Sequence, residues 1–234
     1  MIGYYGHPPR EVLEEARARF GNDFIDLDVA TGAPSSGVLP RAYCKILSNI
    51  VDNAVNLGDR LAVIVASVGE EKCDGGRNVA VILEKMGFNV VQTTNTNNLR
   101  RPVTISTSGL SLKEKLDRIM ASVVRAQPRA LPGCRPTHGF WGVPPNDYSL
   151  LDLFPPTTHV YGWTRCVEAG VPSDLELELH VDPEVPTVFF TQSFCAKQAL
   201  AKFLAGKYGG LCIDIDTSVT DSILAKVEAF IALT

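Results

Sequence analysis

The chain reads as an α/β protein built on a mostly parallel sheet with flanking helices, Rossmann-like or flavodoxin-like. Three observations predict it. Short apolar runs of strand length alternate with segments whose apolar residues recur at helical spacing. One run, Leu61 to Val68, is continuously apolar, as in a strand buried on both faces. Turns rich in Gly, Pro and Ser separate the segments. The alternation fits a single unit over residues 1–234 and also admits two small lobes with a boundary near 95–110.

Ile2 to Tyr5 predicts a strand. Pro8-Pro9 and the acids of Glu11 to Arg17 then open a helix, because proline and carboxylates suit a helix N-terminus. Phe24 to Val29 alternates like a strand, a Gly/Pro/Ser loop runs through Gly37, and Pro40 to Val55 carries Tyr43, Leu47, Ile50 and Ala54 at helical spacing. Leu61 to Val68, a helix over Val79 to Met86 and a strand over Phe88 to Val91 complete a β-α-β pattern. In the second half a helix is expected from Ser111 to about Arg125, then a proline-rich connection ending at Cys134. Thr158 to Trp163 and Thr187 to Phe190 read as strands, Ala196 to Tyr208 as a helix, Leu211 to Ile215 as a strand and Ser218 to Leu233 as a closing helix.

With 234 residues, 45% hydrophobic and 21% charged, the chain has material for a core that needs no staples. A net charge of −4, with no basic stripe, argues against a nucleic-acid surface. The N-terminus lacks a basic leader with an apolar run, and no stretch reaches the length of a membrane span, so a cytoplasmic protein with no membrane partner is expected. In a reducing compartment its six cysteines are better read as thiols, some of them metal ligands, than as disulfides.

Ligands of such sheets gather outside the carboxyl ends of the strands. Cys166 follows the strand ending near Tyr161, Cys195 follows the strand at Phe189, and Cys134 lies in the loop Gly133 to Gly142. Spacings of 32 and 29 residues, each about one strand plus one helix, let one fold bring the three thiolates to a point. Three thiolates suit a [4Fe-4S] cluster with one open iron, whereas zinc is disfavoured because no Cys-x-x-Cys knuckle is present. His138, His159 and Arg165 crowd the same face, where they would supply protons and neutralise an anionic ligand. The bland alternative is that each cysteine packs as a small hydrophobe and each histidine caps or packs. Trp141 sits in an apolar loop, Phe140 to Pro145, that needs cover from a cofactor pocket or a partner subunit, hence an expected homo-oligomer or hetero-complex. Cys212 reads as packing inside a strand, Asp214 and Asp216 as a strand end followed by a cap, and Cys73 as well placed in the loop after a buried strand. That loop lacks both nucleotide-binding glycine patterns.

Ile2-Gly3-Tyr4-Tyr5, the pairing of Tyr43-Cys44 with Cys73-Asp74, the strand leading to Phe194-Cys195, and the ending from Ile213-Asp214-Ile215-Asp216 to Val227-Glu228-Ala229-Phe230 carry a further signal. In these stretches the chain resembles the two-subunit 2-hydroxyacyl-CoA dehydratase and benzoyl-CoA reductase family, whose subunits each hold a [4Fe-4S] cluster on three cysteines. The resemblance implies Cys44, Cys73 and Cys195 as ligands, against Cys134, Cys166 and Cys195 from local context; only Cys195 belongs to both sets.

The expectation is an iron-sulfur redox enzyme or enzyme component, a reductase or dehydratase-like lyase, whose open iron binds a small substrate and which takes electrons from a redox partner protein. Two other readings stand beside it. One is a metal-free binding or assembly protein, the other an enzyme with Cys195 or Cys166 as nucleophile.

Overall fold

The computed structural model describes residues 1–125 and 131–234. It is an α/β fold with two sheets, each of four parallel strands, and the chain divides into two compact units, Met1–Asn97 and Asn98–Thr234.

The first unit runs β1 (Ile2–Tyr5), α1 (Arg10–Phe20), β2 (Phe24–Asp26), α2 (Lys45–Leu57), β3 (Val63–Ser67), α3 (Asp74–Lys85) and β4 (Val90–Thr93), in the sheet order β2-β1-β3-β4. β3 is buried along its whole length, as its unbroken apolar run predicts. Tyr5, Ile64 and Ala66 face Leu47, Ile50 and Ala54 of α2 and Val79, Ala80 and Leu83 of α3 in one core.

α2 begins at Lys45, later than the spacing predicts, and carries a second, polar stripe. Asn49 Nδ2 donates to Asp28 O at 2.9 Å, Asn53 Nδ2 to Leu27 O at 3.0 Å and Val29 O at 2.8 Å, Ser36 N to Asp52 Oδ1 at 2.7 Å, and Asn56 Nδ2 to Pro34 O at 3.0 Å. At helical spacing these residues lace the long loop after β2 onto the helix. That satisfies backbone carbonyls which no strand or helix would otherwise pair.

The second unit contains α4 (Leu112–Ala121), β5 (Gly139–Trp141), β6 (His159–Tyr161), α5 (Trp163–Ala169), α6 (Leu175–Leu179), β7 (Thr187–Gln192), α7 (Gln198–Tyr208), β8 (Leu211–Ile215) and α8 (Asp221–Leu233). Its sheet order, β6-β5-β7-β8, repeats the topology of the first. Part of the connection expected before Cys134 falls on 126–130, outside the described residues.

One expectation is corrected here: Phe140 and Trp141 form the inner strand β5, not an apolar loop. Phe140 stacks on Phe190 at 5.9 Å on one face, and Trp141 packs against Phe189 at 6.0 Å on the other. Trp141 Nε1 donates to Glu178 O at 2.8 Å. The unit itself therefore covers Trp141, and the need for a partner to bury it disappears. Trp163 likewise opens helix α5 instead of ending a strand.

The two inner strands share a motif that neither hydropathy run nor cysteine spacing reveals. Gly3-Tyr4-Tyr5-Gly6-His7-Pro8-Pro9 and Gly139-Phe140-Trp141-Gly142-Val143-Pro144-Pro145 both read Gly-aromatic-aromatic-Gly-x-Pro-Pro. Gly3 pairs with Ile64 and Gly139 with Thr187 at matching places in the two sheets. The second glycine of each motif has positive φ, 73° and 148°. A Cβ at Gly6 would lie 2.7 Å from Ser67 Cβ, and one at Gly142 would meet the Phe190 carbonyl, so only glycine fits where each inner strand turns off.

Candidate functional site

In the first unit the strand order reverses between β1 and β3, and ligands of open α/β sheets bind at such a switch point, outside the carboxyl ends. Three loops meet at this edge: Gly6-His7-Pro8-Pro9 after β1, Leu27-Asp28-Val29 after β2, and Val68 to Cys73 after β3.

The charged residues of these loops interlock. Asp28 accepts from Gly6 N and from Lys72 Nζ, the latter at 2.7 Å, and both side chains are only 11% exposed. Asp28 N donates to Asp26 Oδ1 at 2.9 Å. Burial and then the Asp28 carboxylate push the Asp26 carboxyl up to about 7, against weaker lowering by the Asp28 backbone and by Lys72. A carboxyl raised this far beside a second carboxylate is a group suited to acid/base chemistry. Burial by itself would lower Lys72, but the Asp28 carboxylate outweighs it and holds the ammonium above its ordinary value. Lys72 Nζ also stands over the Tyr5 ring at 5.5 Å. Tyr5 Oη donates to Gly76 O at 2.9 Å, and burial, followed by Asp28, raises its phenol well above the usual range.

Beside this cluster Glu71 is buried. Its Oε1 accepts from Asn95 N at 3.0 Å and Gly69 N at 3.4 Å, but its Oε2 and the hydroxyl of fully buried Ser67 have no hydrogen-bond partner among the described residues. Buried polar atoms are nearly always paired, so two orphans at a switch point mark a place where a donor from outside the chain fits. Comparison with known proteins finds no matching family model and no matching curated protein.

The residues singled out from the sequence lie in the second unit and do not gather in one place. Cys195 and Cys166 follow the carboxyl ends of β7 and β6, Cys166 one turn into α5. Cys166 is fully buried with its Sγ 3.7 Å from Asp174 O, and burial, then Glu178 and Asp174, push its thiol up to about 12. Arg165 is also buried in α5, its guanidinium 4.4 Å from the centre of the Tyr161 ring. Burial lowers its pKa, with Tyr161 and Glu168 acting in the opposite sense. Cys134, His138 and His159 sit at the opposite, amino end of the sheet, because His159 begins β6 and His138 immediately precedes β5. There Cys134 Sγ is 3.8 Å from His159 Nε2, and His138 Nδ1 is 3.1 Å from Thr137 Oγ1.

Cys134 therefore lies across the sheet from the other two thiols, and among the described residues no group of three His, Cys, Asp or Glu is placed to hold a metal ion. In this arrangement Cys134, Cys166 and Cys195 do not fit a cubane cluster, which needs three sulfurs facing one point. Cys44 and Cys73, named by the family resemblance, instead occupy the N-cap positions of α2 and α3, without a side-chain capping bond.

Sequence reasoning passed over Asp26, Asp28, Lys72 and Glu71. Asp26 and Asp28 read as part of a strand alternation, and no role is assigned to Lys72 or Glu71. The usable signal was the pairing of an Asp-x-Asp at one predicted strand end with a Lys in the loop after the most buried strand.

Proposed function

We propose that the carboxyl edge of the first sheet binds a small molecule rich in hydroxyl or amino donors, and that Asp26 exchanges a proton with it near neutral pH. The observation that carries this reading is the orphaned pair Glu71 Oε2 and Ser67 Oγ, which asks for donors, beside a carboxyl poised at about 7. The only ammonium in the cluster, Lys72, is already neutralised by Asp28, and Asp26 and Glu71 add acceptors, so the edge disfavours phosphate. Asp28 would fix the β1 turn through Gly6 N and position Lys72. Chemically the edge suits general acid-base work on a polyol or an amine.

The test is an NMR titration of the full chain with ribose, spermidine and inorganic phosphate, following the carboxyl resonances of Asp26 and Glu71. A response to ribose or spermidine that Glu71→Gln abolishes is expected. A response to phosphate alone, or no response to any of the three, would overturn the reading.

One observation favours a second reading, in which the family resemblance holds and the chain carries an iron-sulfur cluster for redox chemistry. Cys44 and Cys73 occupy the N-cap positions of two helices at this same edge. Iron and acid-labile sulfide in protein purified without oxygen, lost in Cys73→Ala, are its expected signature. Protein free of both would count against it.

A further inference from the structure

The second unit buries a cation for which it supplies no acceptor. Arg165 stands in the first turn of α5, just past the carboxyl end of β6, and is only 5% exposed. Its guanidinium lies 4.4 Å from the centre of the Tyr161 ring, whose π face offsets part of the charge but takes up none of the five N–H donors. Nε has no hydrogen-bond partner, and no hydrogen bond or ion pair of either Nη is found among the described residues. A buried charge is ordinarily paired and hydrogen-bonded, because taking it out of water without partners is far costlier than leaving it exposed.

The acids on the elements packed around α5, which are α4, β6 and α6, are committed elsewhere. Glu168, one turn on from Arg165, accepts from Thr104 N at 2.7 Å, Ile105 N at 2.6 Å, Ser106 N at 2.9 Å and the Ser106 hydroxyl. It acts on Arg165 through charge alone. Asp174 and Glu176 take Arg100, Glu178 takes Lys197, Glu114 takes Arg118 and Asp117 holds the Tyr148 hydroxyl. Asp182, after α6, accepts from Glu184 N at 3.0 Å.

We infer that Arg165 anchors an anion site beside β6, and that its ligand is the carboxylate of a small organic acid. A planar fork of parallel N–H groups matches the two oxygens of a carboxylate, and one guanidinium balances its single charge. A phosphate carries about two charges at neutral pH. Lys115, the buried ammonium of α4, is not available for the second, since it already donates to Pro156 O at 2.8 Å and Thr158 O at 2.5 Å. The site lies wholly in the second unit and does not depend on the acceptor-rich edge of the first.

The test is an NMR titration of the full chain with sodium acetate, and in parallel with inorganic phosphate, at an ionic strength held constant with sodium chloride. The probes are the Arg165 Nε–H cross-peak and the indole N–H of Trp163, which opens the same helix. Acetate should move both saturably. Arg165→Lys keeps the charge but offers a point donor in place of the fork, and should weaken the Trp163 response about tenfold, while Arg165→Met should abolish it. The methionine variant also separates a ligand role from a structural one. Arg165 has no hydrogen bond to lose, so Arg165→Met should keep or raise the urea midpoint read by tryptophan fluorescence. An acetate response no different from that of chloride, a stronger response to phosphate than to acetate, or a marked fall in the urea midpoint of Arg165→Met would overturn the inference.

Discussion

The two units share a topology, a strand order and a seven-residue motif, yet they load their edges differently. The first places carboxylates and a lysine at the carboxyl ends of its strands and leaves two buried polar atoms unpaired there. The second sets Cys166, Cys195 and a buried Glu178 carboxylate paired with Lys197 at the corresponding ends, beside aromatic packing, and places Cys134, His159 and Lys115 at the other end. The same backbone frame thus carries a Lys72–Asp28 pair with unpaired acceptors at one edge and thiols with a Lys197–Glu178 pair at the other.

The largest test of this contrast uses the matched aromatic of the two motifs. Trp141 is fully buried between β7 and α7, and Trp141→Ala should destabilise the second unit by about 3–5 kcal/mol through lost burial and the cavity left behind. At the equivalent place, Tyr5→Phe keeps the ring in the core and removes only the bond to Gly76 O, a cost of about 1 kcal/mol. Both tryptophans, Trp141 and Trp163, lie in the second unit, so Trp163 fluorescence in urea reports that unit alone while circular dichroism reports both. Equal losses in the two variants would mean that Trp141 does not hold the second core in the way described.

Most of the first unit could be read from the sequence because its strands are apolar runs bounded by turns, and β3 is buried on both sides. β5 could not: three residues between Gly-rich and Pro-rich flanks show no periodicity, and its aromatics looked like a loop in need of cover. The cysteine spacing misled for a related reason. A separation of one strand plus one helix brings residues together only when each follows a strand, and Cys134 precedes β5, which places it at the other end of the sheet from Cys195. Hydropathy registers apolar periodicity, so the polar stripe of α2 and the pairing of Lys72 with Asp28, residues far apart in the chain, appear only once the backbone is closed.

A smaller effect separates the units by pH. Asp26 binds its proton more tightly folded than unfolded, so its contribution is fully present below about pH 4 and is lost as pH rises through about 7. Asp26→Asn should therefore match wild type near pH 4 and be more stable by about 1–2 kcal/mol at pH 8, with the loss between those values flattened in the first unit only. Parallel stability curves for the two proteins would show that Asp26 is an ordinary surface acid and remove the proton-transfer role.

The smallest effect belongs to the exposed ion pairs of Arg100 in the second unit. Arg100 donates to Asp174 at 2.5 and 2.9 Å and to Glu176 at 2.5 Å, but the arginine side chain is 44% exposed and Glu176 84%. Exposed pairs of this kind contribute little, so Arg100→Ala should cost little, and less in high salt. Arg100 holds the Asp174 carboxyl below its usual range, so that contribution is present above about pH 4 and is lost as pH falls through the folded value. Asp174 also accepts from Leu177 N at 2.9 Å to cap α6, so Asp174→Ala should cost more than Arg100→Ala, by about 1 kcal/mol. Lys72→Met, in contrast, strands the Asp28 carboxylate in a site with little access to water and should cost about 2–3 kcal/mol. If urea titrations find Arg100→Ala as costly as Lys72→Met, the difference drawn between the buried Lys72–Asp28 pair and the solvated pairs of Arg100 fails.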